Sequence, residues 1–210
     1  MKIQMIGLLI LAAFHSTEVF AHPVSYQGAT SVMSYNKDQE NELLVTYSIK
    51  SYLAVALEYY KVEKVTYTVP RLDFLLKRWN SEDSQANIYL SGGYGAERSY
   101  EEQVGVGFAS AEADWESRKY YTSLQYNRFF RKDTPSVGRV DFEDTKLRAG
   151  VAPYLADFNE INTWLILEAE KMNDKSVQLT QFVRLFYKNV LIEVGAGFDG
   201  GWAFNYMVHF

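Results

Sequence analysis

No cysteine occurs anywhere in the 210 residues, which excludes disulfide stapling, thiol nucleophiles and thiolate metal sites together. Histidine is nearly as scarce: there are three, and only His22 and His209 lie beyond residue 21. Prolines number four, too few to break up a chain rich in extended segments. No Walker pattern is present, so no P-loop can be read. The net charge of −5, with both signs interspersed, argues against a nucleic-acid partner. Apart from residues 6–14, no uninterrupted apolar run approaches the length of a transmembrane helix, so any crossing of a membrane must be made by strands closed into a barrel.

What is abundant is aromatic: 16 Tyr, 13 Phe and 4 Trp. Tyrosine suits strands and membrane interfaces, where a ring lies against lipid and a hydroxyl reaches water. The first 21 residues read as a secretory signal, with Lys2 as the positive region, residues 6–14 (IGLLILAAF) as the apolar core and Val19-Phe20-Ala21 before the cleavage point. Export followed by removal of residues 1–21 is therefore expected, leaving 22–210 as a single domain that starts at His22.

Strand periodicity is clearest at the end of the chain, GWAFNYMVHF. Trp202, Phe204, Tyr206, Val208 and Phe210 share one face, and Ala203, Asn205, Met207 and His209 share the other. An alternating last strand ending in Phe resembles the assembly signal of bacterial outer-membrane β-barrel proteins. The resemblance implies an antiparallel transmembrane β-barrel in the outer membrane of a Gram-negative cell. It further implies insertion by the barrel-assembly machinery and contact with outer-membrane lipids and lipopolysaccharide.

The same alternation recurs upstream, near 146–151 and over 163–170, 177–187 and 190–199. With strands near 29–35, 41–49, 52–60, 65–79, 86–98, 104–116 and 119–131, the count is twelve. Ten is the alternative, because the first strand is short and Pro70 falls inside the fourth. Residues 49–51, 116–119 and 188–189 are short enough for periplasmic turns; 132–139 would be the longest outer loop and 199–201 a very short one.

If the apolar parity faces lipid, the opposite parity carries Glu58, Arg71, Asp73, Lys77, Glu112, Asp114, Lys146, Arg148, Glu168, Glu170, Arg184 and Glu193 into the lumen. Placing Arg or Lys on the lipid face at mid-depth would cost about 2–4 kcal/mol each. These charges fit either a small passive, porin-like pore or a structural barrel with a largely filled, ion-paired lumen. Gly92, Gly93, Gly95, Gly105 and Gly107 fall in neighbouring strands and read as packing or curvature devices.

A barrel enzyme that modifies lipid or cleaves protein is the alternative from another class. His209 would be its base, with Ser34 or Ser48 as partner, but no GxSxG motif supports it. Acidic pairs of the omptin kind would need long outer loops and a well-placed His. His22, once it is the first residue, could chelate copper through its amine and imidazole with help from His209, or could simply be a loose terminus. No cofactor or metal is expected. Residues 78–85 and 113–121 gather Trp, Tyr and charge as an interfacial girdle would. A soluble periplasmic β-barrel with its aromatic face turned inward onto an apolar ligand is the remaining reading.

Overall fold

A computed structural model describes residues 22–99, 102–131, 141–157 and 159–210. The expected signal segment, 1–21, and the whole of the expected long outer loop, 132–139, lie outside these residues. The described chain forms β1 Thr30–Lys37, β2 Glu40–Lys50, β3 Leu53–Val62, β4 Val65–Asn80, β5 Ser84–Arg98, β6 Gln103–Ser117, β7 Tyr120–Arg131, β8 Phe142–Val151, β9 Asn162–Met172, β10 Gln178–Tyr187, β11 Val190–Gly197 and β12 Trp202–His209. Every strand pairs antiparallel with its sequence neighbours. β1 meets β12 from Ser31↔His209 to Lys37↔Ala203, which closes the sheet into a twelve-strand barrel. Closure leaves no unpaired edge, the condition for strands to cross hydrocarbon.

The start of β1 and the end of β12 share one rim, here called the near rim; the β1–β2 turn lies on the opposite, far rim. The turns expected near 49–51, 116–119 and 188–189 are all at the near rim, and 198–201 is at the far rim. The β10–β11 connection is only Lys188-Asn189, and Lys188 takes a φ of 54°, the left-handed conformation such tight hairpins demand.

Alternation sorts the side chains as the pleat requires. Outward on β2, β3, β9, β10 and β11 stand Leu43, Val45, Leu57, Leu165, Leu167, Val183, Leu185, Ile192 and Val194, all exposed. Exposed rings flank this band at both rims: Tyr47, Trp79, Trp115, Tyr120 and Tyr187 near, Tyr59, Tyr94 and Trp202 far. An apolar belt between aromatic girdles is stable against lipid and would be an aggregation surface in water. The soluble-carrier alternative needs the aromatic parity inside; in β12, Trp202 and Phe204 point out while Ala203, Asn205, Met207 and His209 are buried.

Pro70 does not interrupt β4. It sits in a gap in the β4–β5 ladder, where registered pairs run from Thr68↔Ala96 to Arg71↔Gly93. Gly93 and Gly95 allow that approach, since a Cβ on Gly95 would lie 2.1 Å from the Thr68 carbonyl oxygen. Gly105 lies beneath the Tyr94 ring on the outer wall, an aromatic covering a glycine gap in the sheet.

Candidate functional site: a bridged lumen

The lumen is built in three levels. Nearest the near rim, residues 22–24 are buried inside the barrel and 26–28 turn in the open before Ala29 leads into β1. Val24 is buried against Ala54, Tyr89 and Leu75, and the Ser25 amide donates to Ser48 Oγ at 2.9 Å. His22 is buried between two carboxylates of β6, with Nδ1 3.4 Å from Asp114 Oδ2 and Nε2 3.6 Å from Glu116 Oε1. Its ring lies 5.5 Å from that of Tyr89. Burial opposes its charge, but the Glu116 hydrogen bond and the Asp114, Glu116 and Glu112 carboxylates outweigh burial and raise its pKa.

In a band here called the waist, which runs from Lys37 and Glu40 beside the far-rim β1–β2 turn to Arg148, Glu168 and Glu193 near mid-strand, charges from separate walls meet. Lys146 of β8 reaches Glu40 of β2 on the opposite wall at 3.2 Å, as well as Asp144 at 3.3 Å and Glu170 at 3.1 Å. Lys37 of β1 pairs with Glu168 at 2.9 Å and also with Glu170 of β9. Arg148 joins Glu168 at 3.2 Å and Glu193 at 2.9 Å. Arg184 reaches Glu193 through Nε at 2.7 Å, and the Asn205 amide donates to the same carboxylate at 2.8 Å. On the β3–β4 wall Arg71 holds Glu58 at 2.5 Å and Asp73 at 3.0 Å. Shared carboxylates of this kind offset the desolvation that isolated buried charges would suffer.

Toward the far rim an aromatic cluster continues the bridge. Tyr60, Tyr67, Phe108, Phe129 and Phe142 pack with Val62, Val69 and Val106. Tyr67 and Phe129, from β4 and β7, have ring centroids 4.4 Å apart, and Tyr60 donates to Glu40 at 3.0 Å, joining this level to the waist. Open space remains at the ends: a cavity of about 690 Å³ at the near rim and one of about 220 Å³ at the far rim.

Of the charges expected inside, Arg71, Asp73, Asp114, Glu168, Glu170, Arg184 and Glu193 are buried, and Lys146 and Arg148 nearly so. Glu112 lines the same wall, on the parity of Asp114. Lys77 is a correction: it is exposed on the outer wall, its ammonium 5.8 Å from the Trp79 ring centre. A bulge between Leu75 and Lys77 shifts the parity of β4, and Arg78 takes the inward place, donating to Asn87 at 2.6 Å. Lys37, Glu40 and Asp144, which complete the waist, were not among the expected residues, although Asp144 shares the parity of Lys146. The terminal-strand residues Trp202, Phe204 and Phe210 are exposed, and Tyr206 and Val208 are half-buried.

His209 pairs with Ser31 across the β1–β12 seam, Nδ1 to Oγ at 2.5 Å, and not with Ser34 or Ser48. Ser31 is 0% and His209 2% exposed, so this hydroxyl cannot meet a substrate in the present arrangement. Among the described residues no three His, Asp or Glu side chains converge as metal ligands.

A closed antiparallel barrel with a lipid-compatible wall and a charged interior is the architecture of bacterial outer-membrane β-barrels. Among solved structures the chain is similar to KdgM porin, at 13% identity and a TM-score of 0.47, covering 87% of this chain and 98% of that one. It is likewise similar to KdgM porin in complex with disordered oligogalacturonate, at 12% identity, TM-score 0.48 and the same coverage. OmpT, an outer membrane protein of Vibrio cholerae, is 7% identical with a TM-score of 0.33, over 87% of this chain and 95% of that one. No family model matches the sequence, and no curated protein matches it.

Proposed function

We propose that the protein is a non-enzymatic outer-membrane barrel whose lumen is closed by ion pairs between the far rim and mid-depth, so that it stands in the membrane as a structural barrel without a permanently open pore. The contact that carries this reading is Lys146 to Glu40, a direct bridge between walls six strands apart. Small barrels are filled by side chains and wider ones leave channels, with twelve strands between these limits. Here Lys, Arg and Glu side chains, long enough to meet in the middle, take the place of an apolar filling. In this reading residues 1–21 direct export, the strand ending at Phe210 is read by the barrel-assembly machinery, and the rings at the rims contact lipid and lipopolysaccharide.

A narrow gated pore is the second reading, favoured by the cavities on both sides of the waist. Planar-bilayer recording of the purified barrel separates the two. The closed reading expects no sustained conductance at low voltage, whereas steady ohmic steps from the unaltered protein would overturn it. Recovery in the outer-membrane fraction, with a boiling-dependent shift on SDS gels, tests the location.

A further inference from the structure

The near-rim cavity has a floor unlike the rest of the lumen. Arg184 is buried, yet only its Nε has a protein acceptor, Glu193 at 2.7 Å. Its two terminal nitrogens make no hydrogen bond among the described residues, and neither is sealed from solvent. Arg148 shares the same Glu193 carboxylate but has Glu168 as a second partner, which leaves Arg184 with Glu193 as its one ion-pair partner among the described residues. The Arg184 guanidinium lies 4.7 Å from the Tyr121 ring centre, and Tyr121, Trp164, Phe186 and Leu191 wall the cavity, with Asn162 among the polar lining. The cavity, of about 690 Å³, is mixed in character: this apolar side and the Arg184 fork make its floor, while Arg118 and the carboxylates Glu82, Asp83, Glu116 and Asp157 stand among the rest of its lining. An apolar wall beside a few convergent polar groups is the usual form of a small-molecule site.

We infer that this cavity binds a small organic carboxylate with a ring-shaped apolar body, entering from the near rim. The carboxylate would accept from the free Nη groups of Arg184, a planar fork suited to two parallel hydrogen bonds. The ring would lie among Tyr121, Trp164 and Phe186. The inference rests on the proposed closure of the waist, which makes the cavity a blind vestibule, but its test reads binding and not conductance, so the two can fail separately.

Isothermal titration of the folded barrel in detergent with benzoate, and with benzamide as the uncharged isostere, is the direct experiment. Saturable uptake of one benzoate per barrel, about tenfold or more tighter than benzamide, is expected from hydrogen bonds to a charged group. Arg184→Gln should abolish that preference with the boiling-dependent gel shift intact. Trp164→Leu should weaken both ligands together, and it serves as the second variant if Arg184→Gln fails to fold. Equal binding of the two ligands, no saturable binding, or a carboxylate preference that survives Arg184→Gln would overturn the assignment.

Discussion

Replacing Lys146 by Met removes the ammonium that ties β8 to β2 while keeping most of the side-chain volume. In the folded barrel that ammonium stands 3.1–3.3 Å from Glu170, Glu40 and Asp144. At an effective dielectric of about 20, each such contact is worth about 5 kcal/mol of Coulomb attraction before desolvation. Stripping the ion of its water offsets most of that gross sum, and breaking a buried pair from one side costs about 3–5 kcal/mol net. Among the described residues Lys37 is the one other cation paired with these three carboxylates, at Glu40 and Glu170, so it limits the loss without replacing the bridge.

The assay is reversible urea unfolding of the barrel in lipid vesicles at neutral pH, followed by tryptophan fluorescence. Lys146→Met should lower stability by about 3–5 kcal/mol. Adding Glu170→Gln should then return part of the loss, because one stranded charge is gone, which makes the double-mutant coupling of opposite sign to simple addition. A Lys146→Met barrel within about 0.5 kcal/mol of the parent, or losses that simply add, would refute the bridge as a stabilising element.

Gly95→Ala should destabilise the barrel by about 1–3 kcal/mol, since its Cβ would meet the Thr68 backbone, while Gly92→Ala, whose Cβ meets nothing closer than 3.8 Å, should be nearly silent in the same urea titration. Because the pKa of His22 is raised by its carboxylate neighbours, its hold on residues 22–29 should be full below its ordinary value of 6.5 and be lost as pH climbs through the raised value. Hydrogen exchange at residues 22–28 should accelerate between pH 6 and pH 9 beyond the intrinsic rate, and His22→Gln should remove the excess; unchanged protection would sink the latch. Phe210→Ala should reduce the amount of folded barrel in the outer membrane of living cells while leaving refolding in vesicles intact, whereas equal effects in both would assign the ring to stability alone.

The barrel was legible because its main signal is local. Alternate residues of 202–210 differ so sharply in size and polarity that one strand declares both its faces, and β10 and β11 repeat the pattern. Lys77 was misplaced because a bulge costs one residue of phase and leaves no mark in residue type. Pro70 suggested a break where the ladder merely skips two positions. The inward parity could be listed, but not its pairing: Lys146 and Glu40 are 106 positions apart on opposite walls, and no periodicity links them. His22 is hidden for the same reason, with Asn87 lying 65 positions along the chain. Lys37 and Glu40 escaped notice because they flank a tight turn, where charge reads as solvated.

The connectivity of the waist also bears on how it could ever open. Glu170 is held by both Lys37 and Lys146, Glu168 by Lys37 and Arg148, and Glu193 by Arg148 and Arg184. Each carboxylate is shared by two cations, and Lys37 and Arg148 each share carboxylates with two other cations, so the pairs form one chain running from Lys146 to Arg184 and not independent bolts. Withdrawing a single member leaves buried charge behind, which destabilises the barrel more than it widens the lumen. Withdrawing a matched pair leaves no excess charge. Glu40→Gln with Lys146→Met should therefore be more stable than Lys146→Met alone and should conduct more readily, because the contact it removes is the one that spans the diameter. A double variant that is as stable as the parent and still closed would place the seal in the aromatic level, where Tyr67 and Phe129 meet, and would leave the ion pairs with a purely stabilising part.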